Sequence, residues 1–391
     1  MSFDQYTSKT VQKENRLQWL DYDKGISIIL VAFGHCLFTL QTHMIDLSAY
    51  PWLTYISVFL YGFRMPLFFI ISGSLIGKSL QKRGMGKYIG DRFNNILYPL
   101  LLWGIIQITL QILQARFSPY GGGYVSPVKY AQLLFDPRET GHFWYLNALF
   151  CIGVLYACVK VVLQFGRTAQ LMLGSVLFCL SAYIHLNDLS YGFLTDIFQF
   201  YIFFAIGDVM SQVFHNDEVR QKLASWKIFF PLFLLFLITQ YIFAGYNLKP
   251  TDEGINYVEH KMPFFYFFEA LVGCSLSVNV SFLLQRYGSA RVLRQIGFYS
   301  LYIYCMQMIV MDLVRIAANR VLHINNIPAL VLLVWAGGII IPIIFYKICQ
   351  RYNAFWMFSL TRPKRKTEAE SELQSNQPEP LPITIQKPYD A

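Results

Sequence analysis

The sequence predicts an all-α fold: a polytopic membrane helix bundle of about ten transmembrane helices, with both termini cytosolic. Three observations predict it. Of the 391 residues 55% are hydrophobic and only 14% charged, with mean hydropathy +0.40, too apolar for the surface of an ordinary soluble domain. The apolar positions gather into runs long enough to cross about 30 Å of hydrocarbon. Lys and Arg concentrate in alternate loops, the bias that sets orientation in a membrane.

The runs fall near residues 25 to 44, 53 to 77, 95 to 114, 143 to 163, 169 to 186, 192 to 213, 226 to 245, 263 to 284, 298 to 318 and 328 to 349. Residues 1–24 form a polar lead-in of mixed charge with no small-residue cleavage site before the first run, so it reads as a cytosolic segment and not a signal peptide. With that end inside, the inner loops hold Lys78, Lys82, Arg83, Lys87 and Arg92, then Lys160 and Arg167, then Arg220, Lys222 and Lys227, then Arg286, Arg291 and Arg294. The outer loops carry roughly half as many cations. Two outer loops exceed a simple turn: 116 to 142, with a Gly and Pro rich stretch before the amphipathic VKYAQLLF, and the polar segment 246 to 261. Residues 25–350 make up the membrane domain. Residues 351–391 form a cytosolic tail that begins basic; those after about 361 have few apolar positions and several prolines, which predicts disorder. The formal charge of +9 is topology signal first and attraction to anionic membrane lipid second; nothing supports a nucleic-acid partner. The seven cysteines are scattered through apolar segments without C-x-x-C spacing, so neither a disulfide framework nor a metal site is expected.

Of the ionisable residues inside these runs, His35 and Arg64 stand out as functional candidates. Lys24 and His35 are eleven residues apart, about three helical turns or 16 Å, so both lie along one stripe of the first helix. A histidine near mid-membrane is a functional candidate by default, the alternative being one that merely bonds a neighbouring helix. Arg64 lies about ten residues into the second run, which descends as the first climbs, and so at similar depth to His35. Its charge requires an anionic or strongly polar partner. The structural alternative is a pair with Asp208, Glu269 or Asp312. Pro66, Ser72 and Gly73 just beyond predict a kinked helix facing a cavity.

Asp21-x-x-Lys24-Gly25 followed by an apolar run to His35, then Arg64-Met65-Pro66-Leu67-Phe68-Phe69 through Ser72-Gly73, resembles the acyltransferase 3 family of bacterial membrane proteins. Gly141-His142-Phe143-Trp144-Tyr145-Leu146, Phe203-Phe204-Ala205-Ile206-Gly207 and Ile296-Gly297 through Ser300-Leu301-Tyr302-Ile303-Tyr304 are similar to further motifs of that family, in order and at sensible spacing. The resemblance spans roughly residues 16 to 350 and implies transfer of an acyl group, usually acetyl, from acetyl-CoA or another acyl-CoA. The implied acceptor is a sugar hydroxyl on an extracytoplasmic or lipid-linked cell-surface glycan, and the implied location is the bacterial cytoplasmic (inner) membrane. His35 then suits the general base, since neutral imidazole can take a hydroxyl proton at neutral pH. Arg64 suits either the oxyanion of the attacked thioester or the coenzyme's phosphates. Lys24, with Asp21 beside it, and Lys87 and Arg92 of the inner loop are the candidate coenzyme contacts; the glycines of that loop miss dinucleotide-binding spacing. His142, Trp144 and Ser72 are candidate acceptor contacts, against an interfacial role for His142 and an aromatic-belt role for Trp144. The chain departs from the family in carrying Asn94 and Asn95 where a second basic residue often follows Arg92, and Gln307 where a histidine often ends the I-Y stretch. A rival from another class is a transporter or flippase of a polar or lipid-linked sugar, with Arg64, Glu269 and Asp312 lining its pathway. The repeated halves common in transporters are not apparent.

Overall fold

The computed structural model describes residues 18–117 and 125–361. The first part of the lead-in and the tail from 362 onward lie outside the described residues. Those described form helices and turns, without strands. Helix α1 spans Gln18–Thr42; α2 (Pro51–Phe59), α3 (Arg64–Ser74) and α4 (Ile76–Arg83) follow as one interrupted column. Next come α5 (Met85–Arg92), a π turn over Phe93–Leu97, α6 (Tyr98–Phe117) and the short α7 (Lys129–Phe135). Then α8 (Trp144–Val161), α9 (Arg167–Leu186), α10 (Phe193–His215), α11 (Asp217–Leu223) and α12 (Trp226–Asn247). The series closes with α13 (Tyr257–Lys261), α14 (Pro263–Tyr287), α15 (Arg291–Phe298), α16 (Ser300–Ile316) and α17 (Ile327–Arg351). Ten helical columns among the described residues are long and apolar enough to cross a membrane, so this is a multi-pass membrane protein.

Local chemistry sets the helix ends. Pro51 and Pro263 start α2 and α14, where the missing N–H has no helical partner to lose. Asn326 caps α17 by accepting from the Ala329 amide at 3.0 Å, and Gly288 ends α14 in the left-handed region. The kink expected at Pro66 is instead a break upstream: residues 60–63 form turns and α3 restarts at Arg64. Pro66 then falls in the first turn of α3, where proline is tolerated.

Helix α1 stands at the centre, touching α3, α14, α15, α16 and α17. The most extensive contact joins α3 to α10. There Gly73 lies against the Phe204 carbonyl and Gly207 against the Ile70 carbonyl, so a side chain at either would strike facing backbone. Helices α9, α12 and α17 turn apolar faces outward, as with Phe230, Leu234, Ile238 and Tyr241 of α12, the surface hydrocarbon requires.

After α17 the chain turns back along the third span. Tyr98 donates to the Trp356 carbonyl and Trp103 to that of Met357, at 2.5 and 3.0 Å. Asn94 serves as a hub: its amide donates to Ser359 Oγ and Thr361 Oγ1, both at 2.8 Å, and its oxygen accepts from the Leu360 amide at 2.6 Å. The ordered body therefore extends beyond residue 350 to a strap over 352–361.

Candidate functional site

Arg64 opens α3 with its side chain 7% exposed. Its Nη1 donates to the Leu30 carbonyl of α1 at 2.7 Å, and its guanidinium lies over the Tyr61 ring at 4.7 Å. Gly34 makes this possible. A Cβ at that position would sit 2.6 Å from Nη1 and 3.0 Å from Nη2, so the guanidinium occupies the space a side chain would fill, one residue from His35. None of the acids offered as structural partners is used. Asp208 pairs with Lys160 at 2.5 Å and Arg167 at 3.5 Å, Asp312 with Arg315 at 3.4 Å and His43 at 3.6 Å, and Glu269 accepts from Gln240. Among the described residues no carboxylate lies within ion-pair distance of Arg64, which leaves a buried cation able to meet charge that develops on a ligand.

The ring of His35, partly buried, faces that of His142 edge-on, with centroids 5.5 Å apart. His142 is 4% exposed, two residues before the fourth span and packed inside the protein. Gly141 turns the chain inward at φ +99°, a backbone region side chains rarely adopt. Residues 142 and 304 then hold each other: His142 Nε2 donates to the Tyr304 carbonyl at 3.1 Å, and the Tyr304 hydroxyl donates to the His142 carbonyl. A carbonyl only accepts, so Nε2 carries the hydrogen and Nδ1 is the bare acceptor; it is buried without a partner. Burial lowers the pKa of this imidazole to about 4, the Tyr304 carbonyl partly opposing that shift.

Two glutamines that sequence reasoning gave no role sit on neighbouring elements. Gln107 brings its amide nitrogen to 4.0 Å from where a Gly141 Cβ would lie, and its oxygen is buried without a partner. Gln307, 0% exposed and one turn beyond Tyr304 on α16, has neither amide atom bonded. A polar residue in a family-histidine position was the available signal.

Arg92, at the end of α5, is buried with Tyr88 Oη at 2.5 Å and the Leu149 carbonyl at 3.1 Å, under the Phe204 ring. It too has no carboxylate within ion-pair distance among the described residues, and a π turn, an irregularity common at functional sites, follows directly. Lys87 is exposed on the same helix. Tyr145 lies 5.3 Å from Tyr304, ring to ring, and the Tyr304 ring is 5.1 Å from that of His142. Lys24 is partly buried and Asp21 buried near the start of α1, about three turns from His35. Ser72 lies about 12 Å along α3 from Arg64 and does not join the group. Trp144 is also taken up elsewhere, beneath the Arg138 guanidinium at 4.5 Å and against Phe200.

Arg138 belongs to a network the sequence did not reveal. It donates to buried Asp196 at 2.8 Å and buried Glu259 at 3.2 Å, and Gln199 donates to the same Glu259 oxygen at 2.9 Å. His185 contacts Gln199 and stacks on His260 at 4.6 Å. Burial pulls the Arg138 guanidinium down and the Glu259 carboxyl up, but their mutual attraction prevails, raising the first and lowering the second. The network ties the loop ahead of His142 to α10 and α13. Among the described residues no cluster of three or more His, Cys, Asp or Glu is arranged to hold a metal.

Fold and site together define a multi-pass membrane protein with imidazole and guanidinium groups buried inside its bundle. The chain belongs to the acyltransferase 3 family, its residues 17–347 matching the family's acyltransferase domain. Among curated proteins it is 29% identical over 212 residues to nodulation protein NolL of Sinorhizobium fredii, covering 53% of each chain. It is 30% identical over 156 residues to NolL of Mesorhizobium japonicum, covering 39% of this chain and 38% of that one. Inner membrane protein YcfT of Escherichia coli is 32% identical over 91 residues, 22% of this chain and 25% of that one. The matches thus span about half or less of the length of these relatives. No solved structure matches.

Proposed function

We propose that the protein is an O-acyltransferase of the bacterial inner membrane, moving an acyl group, acetyl by the family's habit, from acyl-CoA to a hydroxyl of an extracytoplasmic or lipid-linked glycan. The observation that carries this reading is a buried guanidinium without a carboxylate partner, packed against Gly34 and the Leu30 carbonyl of the helix that carries His35. His35 takes the hydroxyl proton, the C–O bond forms as the thioester C–S bond breaks, and the proton passes to the leaving thiolate. Arg64 supports the oxyanion. The buried Arg92 guanidinium, with Lys87 and Lys24, meets the coenzyme's phosphates, and the rings of Tyr145 and Tyr304 beside His142 flank the thioester arm. Gln307 and Gln107 offer neutral amides to the acceptor.

The test compares wild type with His35→Ala in the native host, reading ester on surface glycan by mass spectrometry and protein in the membrane by blotting. Ester should vanish at unchanged protein level; ester that persists removes His35 from the mechanism. Calorimetry of the purified protein with acetyl-CoA should show binding, and its absence would favour transport.

A further inference from the structure

The geometry points to His142 as a positioning residue for His35: its bare Nδ1 accepts the hydrogen of one His35 ring nitrogen and so fixes the other as the base. This rests on the acyl-transfer reading for its consequence in rate, but not for the hydrogen bond itself.

Three observations lead there. First, the tautomer of His142 is set from outside the pair, because Nε2 is engaged by a backbone carbonyl and must carry the hydrogen. The Tyr304 hydroxyl, bonded in turn to the His142 carbonyl, anchors the residue at a second point. Secondly, Nδ1 is buried and unpartnered, an arrangement native structures seldom leave without a purpose. Thirdly, His35 makes no side-chain hydrogen bond to the described protein groups, while its ring stands 5.5 Å from that of His142, centroid to centroid. With His142 held by Tyr304, it is the His35 ring that must turn to bring one of its nitrogens to Nδ1.

The choice of a neutral orienting group follows from what surrounds it. The base must become an imidazolium when it takes the hydroxyl proton, with the Arg64 guanidinium nearby. In a hydrolytic triad a carboxylate does the orienting; here it would pair with that guanidinium and neutralise the charge the oxyanion needs. A bare imidazole nitrogen accepts from the imidazolium without competing for Arg64. The chain of contacts then runs from the Tyr304 carbonyl through His142 to His35 and on to the acceptor hydroxyl. No atom of His142 exchanges a proton; that of the hydroxyl goes to the free nitrogen of His35 and then to the thiolate.

The test uses the full-length protein in lipid bilayers, labelled with ¹⁵N-histidine, together with His142→Asn and His142→Phe. Asparagine keeps an acceptor where Nδ1 stood, whereas phenylalanine fills the ring's space without one. Solid-state NMR of wild type should show an imidazole protonated at Nε2 that disappears in both variants. The protonated nitrogen of His35 should shift in H142F and stay near its wild-type position in H142N. Ester formation in the host should fall about 100-fold in H142F, as for loss of a well-placed base, and recover at least tenfold in H142N. A His142 protonated at Nδ1, or a His35 signal indifferent to both variants, overturns the proposal whatever the activity. Intact tautomers in a protein that transfers no acyl group would instead refute the acyl-transfer reading.

Discussion

Replacing Gly34 by alanine isolates the placement of Arg64 with a single methyl group. The added Cβ would lie 2.6 Å from Nη1, against the 3.4 Å at which ordinary contact begins, so the guanidinium must retreat by about 0.8 Å. The obstacle is the far end of a flexible side chain and not backbone, so α1 and α3 need not part and the protein should still accumulate in the membrane. What changes is the bond from Nη1 to the Leu30 carbonyl, now 2.7 Å, and with it the position from which Arg64 meets the oxyanion. A displacement of about 1 Å costs on the order of 100-fold in rate when geometry is the source of catalysis, about 2.7 kcal/mol. Initial rates with purified protein in proteoliposomes, acyl-CoA and host glycan should show that loss in kcat, with KM for acyl-CoA held within about twofold. A double-mutant cycle sharpens the point: in an Arg64→Met background the alanine should have little further effect. Equal losses from Gly34→Ala with and without Arg64, or a G34A enzyme of normal kcat, would refute the assigned role of the guanidinium.

Arg138→Ala should lower stability by about 3 kcal/mol, because Asp196 and Glu259 are left buried without their cation; the lower end of the range applies since the guanidinium is 34% exposed. Thermal unfolding in detergent reads this directly, and an unchanged midpoint would mean water replaces the arginine. The Glu259 pKa is depressed by folding, so this stabilisation is complete above the unfolded carboxylate range and fades as pH falls through the folded value. The gap between wild type and R138A should therefore narrow on acidification. Deleting the chain after Pro363 should leave ester formation intact, whereas ending it at Arg351 removes the strap on Asn94, Tyr98 and Trp103 and should impair acyl-CoA binding. Equal binding by the two truncations, measured by calorimetry, would show the strap to be dispensable.

The spans and the buried Arg64 were legible because each is a departure from its surroundings: apolar runs stand out in a polar frame, and an ionisable group stands out in an apolar run. Gly34 departs from nothing, since a mid-helix glycine looks the same whether it is idle or makes room for a guanidinium. Gly73 and Gly207 were visible as motif letters, but the close backbone approach that explains them belongs to the crossing of α3 and α10. His142 reads from the sequence as either an acceptor contact or an interfacial residue; its burial comes from the turn at Gly141 and the bonds with Tyr304, which no local pattern announces. Arg138, Asp196 and Glu259 are far apart in the chain, and charges near span ends register as orientation signals until coordinates join them. Asn94 was noted as a departure from a basic family pattern, and its bonds with residues 359–361 supply a use that no local pattern predicts.

Through the strap, completion of the bundle waits on residues 359–361. Asn94 meets residues more than 260 positions downstream, so the third span, with Arg92 just before its π turn, is inserted long before its final neighbours leave the ribosome. A contact of such high sequence separation forms late. Tags fused directly at the end of α17, or nascent chains stalled there, would yield a bundle whose Asn94 lacks its partners at 359–361.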